Sequence, residues 1–351
     1  MITTEPPIIK HAEALVREHY GRKSPLTLTV GILEHGNQYC WGYGQPQGFD
    51  YASAIYEGAS ITKVFTNTLL TLLEQQGKLK RTDPISRYIP ECASNHQVSA
   101  ITLEQLGSHT SGLPRLPASL RSVITNKLNP YEHYSEEYLL KDLLECRLEA
   151  PGRFAYSNFG GGLLGYVLTR CTGRSLEELV RDEICRPLFM EDTAFELSPD
   201  QQQRFLPVYT ANGKEVPHWD LGILAGAGGL RTTARDLLQF AKANVGMGAA
   251  AVTAAMKETQ QPNCRIRRNE EVGLGWIIRT GVYHDKIHWH NGGTFGSNSF
   301  IGFHREKNMA VVVLANNSDF ALKLFSRLRP QKNHVDEIGF ELLRALTKTI
   351  D

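Results

Sequence analysis

EGASITKVFTNTLLTLLEQQGKL, residues 57–79, is the stretch around which the chain is organised. Ile61, Val64, Phe65, Leu69, Leu72 and Leu73 recur at steps of three and four, which predicts one helix from Ser60 to Gln76 with a buried face. Gly77 stands where a left-handed residue would close it. Ser60 opens the helix and Lys63 follows nearly one turn later, so the two side chains rise on the same face. A hydroxyl at a helix N-terminus sits where the dipole and the unpaired N–H groups favour developing negative charge. An amine crowded by apolar neighbours loses its proton more easily and can serve as a base. The plainer alternative is an N-cap serine beside a solvated lysine, since a Ser-x-x-Lys arises by chance about once in a chain of this length.

Working outward, Ile8 to Tyr20 reads as an amphipathic helix closed by Gly21. Leu26–Leu33 and Tyr39–Tyr43 read as strands of a hairpin around Glu34-His35-Gly36-Asn37. From Arg81 to about Asp220 helical segments dominate, punctuated by prolines such as Pro84, Pro114 and Pro151. Among them are Thr102–Leu106 with Thr102 as N-cap, the run after Ser135 through Leu144, the glycine-bearing Phe159–Cys171, and Leu176–Ile184. Sheet character returns in Gly273–Thr280, Lys286–His290, Ser299–His304 and Met309–Ala315, and Val335–Thr349 makes a closing helix. Strands joined by short turns argue for an antiparallel sheet with the terminal helices on its faces. The expected fold is therefore α+β, with a mostly helical domain (81–220) inserted into a discontinuous sheet domain (1–80 and 221–351). No internal repeat or low-complexity tract interrupts it.

Composition narrows the function. The 351 residues are 41% hydrophobic and 21% charged, enough for one large core or two sharing an interface. A formal net charge of +1 gives no electrostatic case for nucleic acid or an anionic membrane. The one basic cluster, Arg265, Arg267 and Arg268, meets Glu270 and Glu271 at once and reads as a solvated face. No apolar run approaches the ~20 residues of a membrane span. MITTEPPIIKH has no basic region followed by an apolar core, which predicts a cytoplasmic protein, or a periplasmic or secreted one whose leader has been removed. Cys40, Cys92, Cys146, Cys171, Cys185 and Cys264 are scattered without a Cys-x-x-Cys pair, and most of them read as buried thiols.

Two further motifs carry chemistry. Tyr156-Ser157-Asn158 follows the loop Ala150-Pro151-Gly152-Arg153 and precedes a helix. A tyrosine near a lysine is a candidate proton shuttle, and an asparagine two residues on offers a donor and an acceptor to a substrate amide. The plainer alternative is a loop tyrosine at a helix start. His290-Asn291-Gly292-Gly293-Thr294 ends a strand and enters a hairpin, where glycine lets backbone N–H groups approach a ligand. His288 and His290 point to one side of a strand, as zinc ligands do. No His-Glu-x-x-His or carboxylate cluster accompanies them, so no metal site is expected. A Gly-x-Ser-x-Gly elbow is missing, which argues against an α/β-hydrolase, and so are dinucleotide and P-loop fingerprints. Gly160-Gly161-Gly162 has no strand before it and reads as packing.

A Ser-x-x-Lys, a Tyr-x-Asn and a basic-x-Gly in that order resemble the serine β-lactamases and penicillin-recognising peptidases, in the class C branch with its D-alanyl-D-alanine carboxypeptidases and esterases. Gly58–Thr66 looks like that family's nucleophile helix, and Leu106–Pro114 (LGSHTSGLP) is similar to its loop beside the active site. Gly228–Leu237 resembles its return from the helical domain, and Gly292–Asn316 its final hairpin. The resemblance implies a β-lactamase/transpeptidase-like fold with the active site between the two domains. It makes Ser60 the acylated nucleophile, Lys63 its base and Tyr156 the proton shuttle. Asn158 would hold the substrate amide, the N–H groups of Ser60 and Gly293 would form the oxyanion hole, and His290, Asn291 and Gly292 would line the substrate strand. A small molecule or short peptide is the implied substrate, and no cofactor is required. His290 stands where class C β-lactamases carry a lysine that grips a carboxylate, and Asn291 replaces a hydroxyl residue. Both departures favour a peptidase or esterase over a true β-lactamase; an acyltransferase or a non-hydrolysing sensor are the alternatives. Arg115 is one place from which a fixed positive charge could come, against the plainer reading of a solvated arginine.

Overall fold

Alternation of side chains sets the centre of the molecule. In Leu28–Glu34 the side chains of Leu28, Val30 and Ile32 join one core and Leu33 the other; in Met309–Ala315 the split is Met309, Val311, Val313 and Ala315 against Ala310, Val312 and Leu314. Both faces of the sheet are covered, so the last strand can be apolar at every position. The computed structural model describes residues 6–21, 26–281, 285–318 and 334–348.

The main sheet has eight antiparallel strands. Their order is Asn37–Tyr43, Leu28–Glu34, Met309–Ala315, Asn298–His304, Lys286–Gly293, Ile277–Thr280, Glu270–Val272 and Cys264–Arg267. The N-terminal hairpin pairs with the last strand, Leu28 opposite Ala315, which brings both ends of the chain together. Helices Pro7–Tyr20 and His334–Lys348 cover the outer face through Ala12, Val16, Ile338, Leu342 and Leu346. The inner face carries the buried helix Thr62–Gln75 and the helix Ala234–Asn244, whose Phe65 and Phe240 rings stack at 3.9 Å. Each such apolar side chain contributes roughly 1.5–3 kcal/mol over leaving it in water.

The α+β expectation holds, and the differences have local causes. Thr102 caps Leu103–Gly107 in a reciprocal box with Gln105, as its sequence predicts. The helix expected from Ser60 begins as a 3₁₀ turn, Ala59–Ile61, and becomes α-helical only at Thr62. Ala59 is the reason, because its φ of +47° turns the chain out of helical register just before Ser60. Gly77, at φ +73°, follows the last turn. Of Gly273–Thr280 only Ile277–Thr280 is strand, since Gly275 at φ +78° makes a bend first. The strand expected to end at His290 continues to Gly293. The solvated arginine face is an edge hairpin: Cys264–Arg267 pairs with Glu270–Val272, and Glu270 takes both Arg267 and Arg279. Charge on an edge strand guards it against further pairing. Thr349, the expected end of the closing helix, lies outside the described residues.

Candidate active site

The turn carrying Ser60 is clamped from several sides. Gly58 N donates to Leu230 O, Ser299 Oγ donates to Gly58 O, and Thr62 Oγ1 donates to Ala59 O. A non-glycine residue at positive φ, as Ala59 is, costs of order 1–3 kcal/mol and persists only where its surroundings enforce it. Ser60 lies inside the 3₁₀ turn, with Gly58 and Ile61 at the two N-cap positions, so the plainer N-cap reading fails, and the residue is partly open to solvent.

Lys63 is 1% exposed. Its Nζ lies 3.2 Å from Ser60 Oγ, 2.9 Å from Asn158 Oδ1 and 2.6 Å from Ala227 O. Burial pulls the amine below its ordinary value; Tyr156 opposes this and the charge of Arg115 adds to it. A neutral amine has two N–H bonds and one lone pair. Two carbonyl oxygens, of Asn158 and Ala227, accept from Nζ, so loss of one proton from the ammonium would turn a lone pair to the Ser60 hydroxyl. Gly161 makes room for the lysine stem: a Cβ there would come within 2.9 Å of Lys63 Cε. Gly162 and Gly165 similarly admit Leu224 and Gly226, so the triple glycine is packing, as its sequence context predicts.

Tyr156 reaches the same place from the far side of the cleft. Lys63 Nζ is 5.1 Å from its ring centroid and Arg115 Cζ is 5.2 Å away. The His109 ring lies at 4.5 Å and the His290 ring at 6.3 Å. His109 brackets the tyrosine, accepting from Ser157 N at Nδ1 (3.2 Å) and from Ala155 N at its carbonyl (2.8 Å). It does so at φ +58°, a second non-glycine residue in the left-handed region. Burial above all, with the charges of Lys63 and Arg115 adding to it, holds the His109 imidazole well below its ordinary value.

The remaining expected residues divide by strand alternation. His290 and Gly292 face the cleft; Asn291 turns to the outer face, where its amide donates to Asp336 of the closing helix at 2.7 Å. The structure thus does not bring the Asn291 side chain to the other site residues. Gly292 lies against the Ser60 turn, since a Cβ there would meet Ser60 N at 2.8 Å and Gly58 O at 2.6 Å. Gly293 pairs with Asn298 on the neighbouring strand. Asn158 spends its oxygen on Lys63 and donates from Nδ2 to Tyr131 Oη at 3.3 Å. His290 is pushed down to about 3 by burial and by the charge of Lys63. Its Nδ1 donates to Asn291 O at 2.6 Å, so Nε2 carries the lone pair.

Sequence reasoning left several participants without a role. Ala227 O lies in the small-residue run Ala225–Gly229, whose glycines were the available signal. Glu57, buried, accepts from Trp219 N (2.8 Å) and Thr294 Oγ1 (2.6 Å), with His218 Nδ1 at 3.5 Å, and so ties the Ser60 turn to the residue after Gly293. Tyr131 gave no sequence signal. His288 does not form a metal pair with His290, because its Nε2 faces Gln260 O and its ring stacks on Phe303. Among the described residues, the group nearest to a metal-ligand set is His19, His334 and Glu337, on the two terminal helices rather than in the cleft. Among them, too, no helix is long and apolar enough to cross a membrane.

Known proteins share this arrangement of elements. The chain is 34% identical over 248 residues to the D-alanyl-D-alanine-carboxypeptidase/endopeptidase AmpH of Escherichia coli K12, covering 68% of this chain and 62% of the relative. It is 29% identical over 264 residues to the putative beta-lactamase-like 1 of Homo sapiens, covering 69% and 51%. The chain thus spans between about half and two thirds of these relatives' lengths. Two crystal structures superpose over nearly the whole chain. A β-lactamase from Sulfitobacter sp. EE-36 gives a TM-score of 0.81 at 23% identity, covering 98% of each chain. A β-lactamase/D-alanine carboxypeptidase from Pseudomonas syringae gives 0.80 at 21%, covering 97% and 99%. At that identity they establish the α+β fold alone. The sequence decides the rest: the Beta-lactamase family model matches residues 13–328, and the chain belongs to that family.

Proposed function

We propose that this protein is an acyl-serine hydrolase that cleaves a small amide, D-amino-acid peptide or ester through a covalent Ser60 acyl-enzyme. The observation that carries the reading is the fully buried Lys63, its Nζ 3.2 Å from Ser60 Oγ and its remaining directions filled by two carbonyl oxygens. In this reading Lys63 takes the Ser60 proton as the oxygen attacks the scissile carbonyl. The N–H groups of Ser60 and Gly293 stabilise the oxyanion, each worth about 2.7–4 kcal/mol in comparable enzymes. Tyr156 relays the proton to the departing amine or alcohol, and water then attacks the ester to free Ser60. The cleft lies between the helical insert (81–220), which supplies Tyr156 and Asn158, and the sheet part, which supplies Ser60, Lys63 and His290.

A peptidase or esterase is ranked over a β-lactamase because His290, its Nδ1 turned to Asn291 O, does not supply the fixed positive charge of the lysine that class C β-lactamases carry at this place. The AmpH relative, named as a carboxypeptidase and endopeptidase, supports the same ranking. The test has two arms. A fluorophosphonate probe should add once, at Ser60, and not to Ser60→Ala; a folded protein that takes no label refutes the reading. Nitrocefin, a D-Ala-D-Ala peptide and p-nitrophenyl butyrate assayed together then rank the substrates, and nitrocefin turnover far above the others reverses the ranking.

A further inference from the structure

The cleft does not use every chemically capable group of the molecule. His19 sits in the last turn of the helix Pro7–Tyr20, and His334 and Glu337 occupy the first turn of the closing helix His334–Lys348. A spacing of three sets His334 and Glu337 on one face of their helix. The two helices pack together on the outer face of the sheet, where Val16 and Ile338 belong to one core. The end of the first helix is fixed in place. Tyr43 Oη donates to Gly21 O at 2.5 Å, and the Tyr20 ring meets the His334 ring edge-on at 5.4 Å.

His19 Nδ1 and His334 Nδ1 each stand 3.6 Å from the same atom, Glu337 Oε2. That is beyond the hydrogen-bond range of about 2.7–3.2 Å, so the two imidazoles do not simply share a carboxylate oxygen. It is close to the roughly 3.4 Å between two ligands of a tetrahedral ion whose bonds are about 2.1 Å long. One ligand atom of each residue lies within 4.8 Å of the other two, and a small rotation of one imidazole closes the remaining edge. The side chains of His19, His334 and Glu337 are 20%, 37% and 28% exposed, which leaves a way in for an ion and a water to complete its shell. Arg17, the other basic residue in the last turn of the first helix, pairs with Glu13. Two imidazoles and one carboxylate suit a borderline first-row ion, whereas magnesium and calcium require a shell of oxygens.

We propose that His19, His334 and Glu337 bind one zinc ion, with water in the fourth position, and that the ion pins the helix Pro7–Tyr20 to the start of the closing helix. The site is separate from the cleft and does not depend on the reaction assigned to Ser60. Its link to the cleft is structural: Asp336, between the two ligands in sequence, accepts from Asn291 on the strand that carries His290 and Gly292. Ligation therefore steadies the turn to which that strand is tied.

The test titrates zinc chloride into chelator-stripped protein by calorimetry and follows thermal unfolding with zinc or with magnesium. One equivalent should bind, and the melting temperature should climb with the logarithm of free zinc while ignoring magnesium. His19→Gln, His334→Gln and Glu337→Gln should each weaken that binding by roughly tenfold or more and abolish the rise. Near-UV circular dichroism of the metal-free variants, matching the parent, shows that they fold, and three separate variants guard against one that does not. Zinc that binds all three as it binds the parent belongs to other surface thiols and imidazoles and overturns the site, as does the absence of binding. A Glu337→Gln protein that is less stable without metal, in a chain whose parent ignores zinc, marks two ion pairs only and overturns it as well.

Discussion

Gly161→Ala separates the catalytic geometry from stability more cleanly than any change to a reacting residue. Gly161 lies inside the helix Asn158–Thr172, where alanine is favoured over glycine by about 1 kcal/mol. By propensity alone the variant should be as stable as the parent or slightly more so. An alanine Cβ, however, would stand 2.9 Å from Lys63 Cε, 3.3 Å from Cδ and 3.4 Å from Cγ. Ordinary carbon contacts begin near the last of these values, so the lysine stem must retreat by about 0.5 Å. Its head is held by Asn158 Oδ1 and Ala227 O at 2.9 and 2.6 Å, so the displacement falls on the longest of its three contacts, the 3.2 Å approach to Ser60 Oγ. Stretched by that amount, the contact leaves hydrogen-bonding range. Misplacement of a reacting group by about 1 Å costs on the order of 100-fold, and half of that displacement predicts a loss of roughly tenfold. The rate of fluorophosphonate labelling at pH 7 measures this directly, and thermal unfolding of the same sample reports stability. A labelling rate within twofold of the parent, with an unchanged melting temperature, would falsify the assignment of Lys63 as the base.

Three further outcomes are expected. In Glu57→Gln one of the two buried donors, Trp219 N or Thr294 Oγ1, faces an amide N–H instead of an oxygen. Stability should fall by roughly 1–3 kcal/mol and labelling should slow because the segments holding Ser60 N and Gly293 N lose their tie; denaturant unfolding and the labelling rate check both. In His109→Ala the buried Ser157 N–H loses its acceptor, and a non-glycine residue stays at φ +58°, so a loss of about 1–3 kcal/mol should accompany slower labelling through a loosened Tyr156. The third outcome concerns acid. Burial first of all holds His288 down to about 4 and His290 to about 3, with the charge of Lys63 adding to the second. Below an ordinary histidine value of about 6.5 the unfolded chain therefore binds protons that the folded chain refuses. Stability is intact above that pH and falls as pH drops through 6.5, each histidine adding a slope of up to about 1.4 kcal/mol per pH unit until its folded value is reached. Urea midpoints at pH 7, 6 and 5 should decline in step, and a flat profile contradicts the burial of these rings.

What the sequence disclosed follows the range of the interactions concerned. The helix after Ser60, the final strands and the capping box at Thr102 are each written within a few neighbouring residues, by periodicity or by a side chain meeting its own backbone. The edge hairpin at Cys264–Val272 was hidden because its strands carry arginines and glutamates in place of an apolar alternation. The proposed catalytic residues Ser60, Lys63 and Tyr156 stood out as motifs in a familiar order. What surrounds it was not, because Lys63 meets Ala227 across 164 residues and Glu57 meets Thr294 across 237.

His290 shows why electrostatics needed the fold. Its residue type alone sets an ordinary value near 6.5, poised to change charge at physiological pH. Two placements remove that freedom, since the ring is buried and Lys63 stands close enough to repel a second cation; against them, the carbonyl of the next residue takes the Nδ1 hydrogen. The last bond pulls toward the charged form, and its failure to prevail shows that desolvation outweighs it. The strand therefore contributes a fixed neutral acceptor where a cation was open to it. Any positive charge offered to a substrate must come from an element other than this strand.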